Sequence, residues 1–199
     1  KKIGFNLTDD QKKALSEIND DLRSSQKMFR LLQGDVGSGK TIVCLISSMN
    51  VISSGYQVSL MVPTEILARQ HFNLSKKIFD SKTKIELLTS KTELSERKKI
   101  LENLKNGKVN LIIGTHALFQ EKINYKNLGL IIIDEQHKFG VKQRKSLSDK
   151  GGKNCDVLVM SATPIPRTMI MTIFGDMDTS VIKNKPKNRK EIKTYSKLE

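Results

Sequence analysis

The chain has 199 residues, of which 28% are charged and 37% hydrophobic, and it carries a formal net charge of +14. That length suits one well-packed α/β domain, and the mix of charged and aliphatic residues excludes a disordered chain. No apolar run reaches the roughly 18 residues of a membrane helix, so no membrane contact is expected, while the excess of lysine and arginine points to a polyanionic partner, most simply nucleic acid.

Lys1-Lys2-Ile3-Gly4-Phe5 has neither an initiator methionine nor the apolar core of a signal peptide, and reads as a cut through a longer protein. Thr8 suits the N-cap of a helix running to about Arg23, with Ala14, Leu15 and Ile18 on its apolar face. Gln11, three residues after Thr8, can be half of a capping box. Met28 to Leu32 reads as a short strand, and Thr41 to Val51 as a mostly apolar helix. Val58 to Val62 is a buried strand ended by Pro63-Thr64, and Glu65 to Phe79 carries helical periodicity. Ile85 to Leu88 reads as a strand, Ser95 to Leu104 as a charged helix closed by Asn106-Gly107, and Val109 to Ile113 as the next strand. Leu130 to Ile133 is apolar throughout, as a parallel strand covered on both faces should be. A short helix is expected over Gln143 to Leu147, and a last strand over Val157 to Met160. Cys44 and Cys155 sit in apolar contexts without metal or disulfide spacing, so a reducing, cytoplasmic setting is expected.

Strands alternating with helices predict a mostly parallel sheet with helices on both faces. Residues 1–180 form this domain; 181–199, with the basic, proline-broken run Lys183 to Lys190, reads as a linker leading into a further unit. Pro63-Thr64, Gly114-Thr115-His116, Asp134-Glu135 and Ser161-Ala162-Thr163 all stand where strands end. In parallel sheets that end is where ligands bind.

Two motifs carry chemistry. Gly34-Asp35-Val36-Gly37-Ser38-Gly39-Lys40-Thr41 fits the phosphate-loop pattern between a strand and a helix. Its glycines let backbone N–H groups turn toward an anion, and the helix start adds the positive end of its dipole. Lys40 would supply a point charge to the outer phosphates of ATP, and Thr41 a hydroxyl to Mg²⁺. The second motif is four aliphatic residues followed by Asp134 and Glu135. Asp134 would hold Mg²⁺ through water, and Glu135 could take a proton from the attacking water.

Asp134-Glu135-Gln136-His137 resembles the Asp-Glu-x-His box of superfamily-two helicases and translocases. Ser161-Ala162-Thr163 resembles their third motif, Pro63 to His71 their Ia segment, and Phe5 with Gln11 their adenine-reading motif. Together with Gly114 to Gln120, Phe139-Gly140-Val141, Gln143-Arg144 and Pro164 to Thr168, the combination is similar to the RecG-type branched-DNA helicases of bacteria. Mfd-like transcription-repair translocases share many of these, but usually carry Glu at the position of Gln136 and an aromatic at that of Ser38. A nucleotide-binding module without turnover of its own is the alternative from another class.

The resemblance implies a RecA-like domain, the first motor of an ATP-dependent enzyme that branch-migrates Holliday junctions and regresses forks in recombination and repair. It implies ATP and Mg²⁺ as cofactors, branched double-stranded DNA as partner, and a second motor domain and a wedge domain in the same protein. Gly37, Gly39, Lys40 and Thr41 would hold phosphates and Mg²⁺; Phe5 and Gln11 would read adenine, unless Gln11 only caps its helix. Thr64, Arg69, Thr115 and His116 would touch the DNA backbone. Gln136 and His137, with Ser161, Ala162 and Thr163, would sense the γ-phosphate and pass its state on, with Arg167 and Arg144 near that path. His71 and His116 each stay open between a DNA contact and a satisfied structural histidine, and Arg167 and Arg144 between a place on that path and a plain surface position. Ser161 stands for the commoner Thr and keeps its hydroxyl, and Ser90 stands where a Gly is usual. The arginines that complete the ATP site in this family belong to the second motor domain, so the chain alone is expected to be nearly inactive.

Overall fold

The computed structural model describes residues 6–115, 118, 123–134, 155–163 and 177–184. Eleven elements follow in order among the described residues: α1 (Asp9–Arg23), β1 (Phe29–Gly34), α2 (Lys40–Ser53), β2 (Gln57–Met61), α3 (Glu65–Ile78), β3 (Ile85–Leu88), α4 (Leu94–Lys105), β4 (Leu111–Gly114), β5 (Leu128–Asp134), β6 (Asp156–Ser161) and β7 (Asp178–Ile182).

Each helix start has a local cause. The capping box of α1 is complete: Gln11 N–H donates to Thr8 Oγ1 at 3.3 Å, and Thr8 N–H donates to Gln11 Oε1 at 2.9 Å. Asp9 and Asp10 occupy its first turn, where the helix dipole favours acids. Thr64 caps α3 by accepting from Leu67 N–H at 3.3 Å. Helix α2 differs: its N-cap is Gly39 in a left-handed conformation, φ 91°, with no side-chain cap. Its first N–H groups are therefore directed into the loop rather than satisfied by a side chain.

The strands form one seven-stranded sheet in the order β3-β4-β2-β5-β6-β1-β7, and every pairing is parallel. Strand β5 shows why so apolar a segment is needed. Leu130 and Ile132 face a core shared with α1, α2 and α3, while Ile131 and Ile133 face a second core shared with α4. All four are 0–1% exposed. Each contributes roughly 1.5–3 kcal/mol of transfer free energy. Helices thus lie on both faces of the sheet, as expected.

Polar residues lock the edges of these layers. Gln57, at the start of β2, is 3% exposed. Its amide donates to Leu104 O at 2.9 Å and Val109 O at 2.8 Å, and accepts from Lys126 N–H at 2.8 Å and Asn127 N–H at 3.0 Å. One side chain so joins the ends of α4, β4 and β5. Arg30 on β1 donates to Asp21 of α1 at 2.7 Å and to Ser180 of β7 at 3.1 Å. Arg30 so ties β1 to both α1 and β7, through a partly buried pair of the kind that adds little net stability of its own.

Strand β7 departs from the sequence reading. It occupies residues 178–182, crossing the expected boundary after 180, and pairs with β1 so that Gly34 faces Ile182. Only Ser180 and Ile182 are buried in it. An edge strand needs no continuous apolar run, and so gives no strong sequence signal. Lys183 and Asn184, inside the expected linker, donate their backbone N–H groups to Asp10 of α1 at 2.9 and 2.8 Å. The helix expected at Gln143 to Leu147 lies outside the described residues. No helix among the described residues is long and apolar enough to cross a membrane.

Candidate nucleotide and nucleic-acid site

The carboxyl ends of β1, β5 and β6 lie side by side, with β6 in the middle. In register, Leu32 faces Met160 and Met160 faces Asp134. Asp134 is therefore two strand spacings, roughly 9–10 Å, from the strand that carries the phosphate loop.

Within the loop, Lys40 is 9% exposed and its Nζ donates to the carbonyls of Gly34 and Asp35, the latter at 3.0 Å. The ammonium thus rests on backbone dipoles at the base of the loop. Phosphate oxygens are stronger acceptors for the same cation. Gly37 and Gly39 have φ of 79° and 91°, a region that L side chains rarely adopt. A Cβ on Gly39 would also lie 2.2 Å from Gln11 Nε2. That is because Gln11 Nε2 donates to Ser38 O at 2.7 Å. Gln11 is therefore a helix cap and a brace for the loop at once. Thr41 is partly exposed at the first turn of α2, and Asp35 and Val36 are exposed. Ser38 is fully buried, and its Oγ has no hydrogen-bond partner among the described residues.

Asp134 is 9% exposed, and its Oδ2 lies 3.1 Å from His71 Nε2 on α3. Cys44, one turn into α2, is fully buried, and burial together with the nearby Asp134 charge pushes its thiol well above the ordinary value. It is a packing residue rather than a nucleophile. Cys155 is likewise raised to about 12, first by burial.

The Ser161-Ala162-Thr163 segment folds back on itself. Ser161 Oγ accepts from Thr163 N–H at 3.2 Å and lies 3.0 Å from Thr163 Oγ1. Gln33 of β1 reaches across to donate to Thr163 O at 3.2 Å. The segment is thereby fastened to the strand that leads into the phosphate loop.

The residues expected to meet nucleic acid are only partly gathered. Thr64 and Arg69 are exposed on α3, and Thr115 is half-buried after β4. The hydroxyl of Thr64 is engaged in capping, and Arg69 pairs with Glu65 at 3.1 Å. That Arg69 contact, foremost, lowers the Glu65 carboxyl, and Lys91 adds to it at 3.5 Å. Gly114 permits the close approach of β3 and β4, since a Cβ there would lie 2.2 Å from Leu88 O. Phe5, His116, Glu135, Gln136, His137, Arg144 and Arg167 lie outside the described residues.

Three contacts escaped the sequence reading: Gln11 with Ser38, Gln33 with Thr163, and His71 with Asp134. The third had a signal. Ala68, His71 and Ser75 form the buried stripe of α3, so His71 faces the sheet.

The model of the DEAD/DEAH box helicase family matches residues 8–172. ATP-dependent DNA helicase RecG of Aquifex aeolicus is 51% identical over 97% of this chain and 25% of that protein. The RecG of Streptococcus pneumoniae is 53% identical over 96% of this chain and 28% of its own length. The chain thus spans between a quarter and a third of the relatives it matches. The solved structure of RecG bound to a three-way DNA junction superposes with a TM-score of 0.83 at 44% identity, over 96% of this chain and 25% of that one. The helicase MrfA bound to DNA superposes with a TM-score of 0.68 at 15% identity, over 92% of this chain and 28% of that one, a likeness of fold alone. The chain belongs to the DEAD/DEAH box helicase family, as a RecA-like domain similar to one part of RecG.

Proposed function

We propose that this chain is the first motor domain of a RecG-type enzyme that uses ATP hydrolysis to move on branched double-stranded DNA, regressing forks and migrating Holliday junctions. The observation that carries the proposal is the shared rim. A phosphate loop with its ammonium set on carbonyl dipoles, a buried carboxylate two strands away and a Ser-Ala-Thr turn fastened between them all lie at one end of the sheet. The similarity to RecG over nearly the whole chain, including a RecG bound to a three-way junction, supports branched DNA as the substrate.

In this reading Gly37, Gly39 and Lys40 hold the phosphates of ATP. Thr41 and Asp134 hold Mg²⁺, and a partly exposed hydroxyl and a buried carboxylate are the hard oxygen donors that ion prefers. Mg²⁺ would supply neutralisation of the negative charge that develops on the phosphates. Glu135 serves as the base, and Gln136, His137 and the Ser161-Ala162-Thr163 turn relay the phosphate state. Thr64, Arg69, Thr115 and His116 meet the DNA backbone, with Arg69 exchanging Glu65 for a phosphate. A second motor domain and a wedge domain of the same protein complete the enzyme. The proposed setting is the bacterial cytoplasm, in keeping with two buried, unbridged cysteines.

An arginine supplied from a partner domain is typically worth about 10³–10⁵ in rate. The chain alone is accordingly expected to hydrolyse ATP very slowly, while the complete protein is strongly stimulated by a branched DNA. Glu135→Gln in the complete protein should abolish turnover and leave ATP binding intact. Equal turnover by the fragment and the complete protein would overturn the two-motor reading, and normal turnover by Glu135→Gln would remove Glu135 as the base.

A further inference from the structure

His71 stands apart from the groups used above. It is 7% exposed on the sheet-facing stripe of α3, and its Nε2 lies 3.1 Å from Asp134 Oδ2. An ionised carboxylate only accepts, so Nε2 carries the hydrogen and donates it. Nδ1 meets no hydrogen-bond partner among the described residues. Buried polar groups are satisfied in the great majority of cases. A histidine kept only to fill this space would be a poor choice; one kept to grip a single carboxylate oxygen needs only Nε2.

The helix turn that carries the ring is tied to the next one. The backbone carbonyl of His71 accepts from Ser75 Oγ at 2.7 Å. Ala68 and Ser75 flank it on the same buried stripe, so the helix cannot rotate the imidazole away without exposing or burying the wrong face. Asp134 is held from the other side by its place at the last residue of β5, in register with Met160. A rigid strand end and a rigid helix therefore meet through one hydrogen bond.

The geometry points to His71 as a positioning residue for the metal-holding carboxylate: by engaging Oδ2 it fixes the rotamer of Asp134 and presents the other oxygen, Oδ1, to Mg²⁺ and its water. This rests on the assignment of Asp134 to Mg²⁺ made above. It also moves His71 off the DNA side of its segment, to which the exposed Thr64 and Arg69 belong. Partners that orient a metal's ligands typically matter by about 10–100-fold in metal affinity or activity. The role is felt through Mg²⁺, not through ATP contact.

The test uses the complete protein with a branched DNA and follows ATP hydrolysis against Mg²⁺ concentration, together with direct Mg²⁺-dependent binding of a fluorescent, non-hydrolysable ATP analogue, whose half-saturating Mg²⁺ should shift in parallel. His71→Gln keeps an amide N–H near the position of Nε2, whereas the N–H of His71→Asn falls short. In His71→Asn the half-saturating Mg²⁺ should rise about tenfold or more and kcat should fall, with KM for ATP at saturating Mg²⁺ within about twofold of wild type. His71→Gln should stay within about threefold of wild type in all three, since it restores the donor. Wild-type Mg²⁺ dependence in a folded His71→Asn overturns the inference. So does an equal loss in both variants with Mg²⁺ dependence unmoved, the pattern of damaged packing. If His71→Asn does not fold, His71→Ala takes its place: a rise of about tenfold in half-saturating Mg²⁺ supports the role, and a wild-type profile overturns it. Asp134→Asn separates the two levels. An active Asp134→Asn defeats the metal assignment itself, while an inactive one beside a normal His71→Asn defeats only the positioning role.

Discussion

The two ends of the sheet treat their buried polar groups in opposite ways. At the amino end, Gln57 has both amide hydrogens and its carbonyl oxygen engaged, by four backbone groups from three segments. At the carboxyl end, Ser38 Oγ and His71 Nδ1 are buried without a partner among the described residues, and an ammonium rests on carbonyls that a stronger acceptor can replace. The difference shows where the fold stores stability and where it leaves capacity for a ligand. Satisfied polar groups rigidify; incompletely satisfied ones are the currency of a site that changes state.

Substitutions can sharpen this contrast, beginning with the largest effect. Gln57→Leu strands two buried carbonyls and two N–H groups at once. At about 1 kcal/mol or more for each hydrogen bond it should cost about 4 kcal/mol. For a domain of this size that lowers the melting temperature by roughly 8–16 °C. ATP turnover measured well below that temperature should be unchanged, and a variant that melts normally would remove Gln57 as the amino-end lock. Lys40→Ala should do the reverse. Loss of one preorganised donor costs roughly 10²–10³ in rate, so turnover by the complete protein should drop by that factor. Its melting temperature should shift by no more than a few degrees, because the bonds lost are to loop carbonyls that water can reach when the side chain is gone. Equal damage to stability and turnover in either variant would dissolve the contrast.

The smallest effect should come from Asp10, whose carboxyl is held below the ordinary 3.8, first by the Asn184 N–H and then by the Lys183 N–H. A lowered value means that the contact stabilises the fold above pH 3.8 and is lost as pH falls through the lowered value. Asp10→Ala should therefore melt slightly earlier than wild type near neutral pH. The difference should shrink as the pH is taken toward 2, and a difference constant with pH would show that the carboxylate charge is not its source.

Much of the architecture was legible from pattern. The continuous apolar run at Leu130 to Ile133 demanded a doubly covered parallel strand, and Thr8 with Gln11 demanded a helix start. The phosphate loop was legible because its glycines answer a local backbone need that no other residue meets. What escaped was whatever depends on a partner distant in sequence. Gln57 looked like an ordinary polar residue before a strand, since the groups it joins lie 47 to 70 positions away. Strand β7 escaped because an edge position asks little of its side chains. The apolar periodicity of α3 predicted the helix and included His71, but the buried stripe is Ala68, His71 and Ser75 while Ile66 is exposed, and nothing local said that β5 would end opposite His71.

The position of β1 has a consequence for how the molecule is made. The strand that carries the phosphate loop has β6 and β7 as its only neighbours in the sheet, and its last residue pairs with Ile182. Among the described residues, nothing between 35 and 155 hydrogen-bonds to it as a strand. At about 5–20 residues per second, roughly 7–30 s separate the emergence of the loop from that of its final partner. The nucleotide site thus closes only after the last strand of this sheet has emerged, and until then the nascent chain carries the unpaired strand Phe29 to Leu32, apolar at three of its four positions.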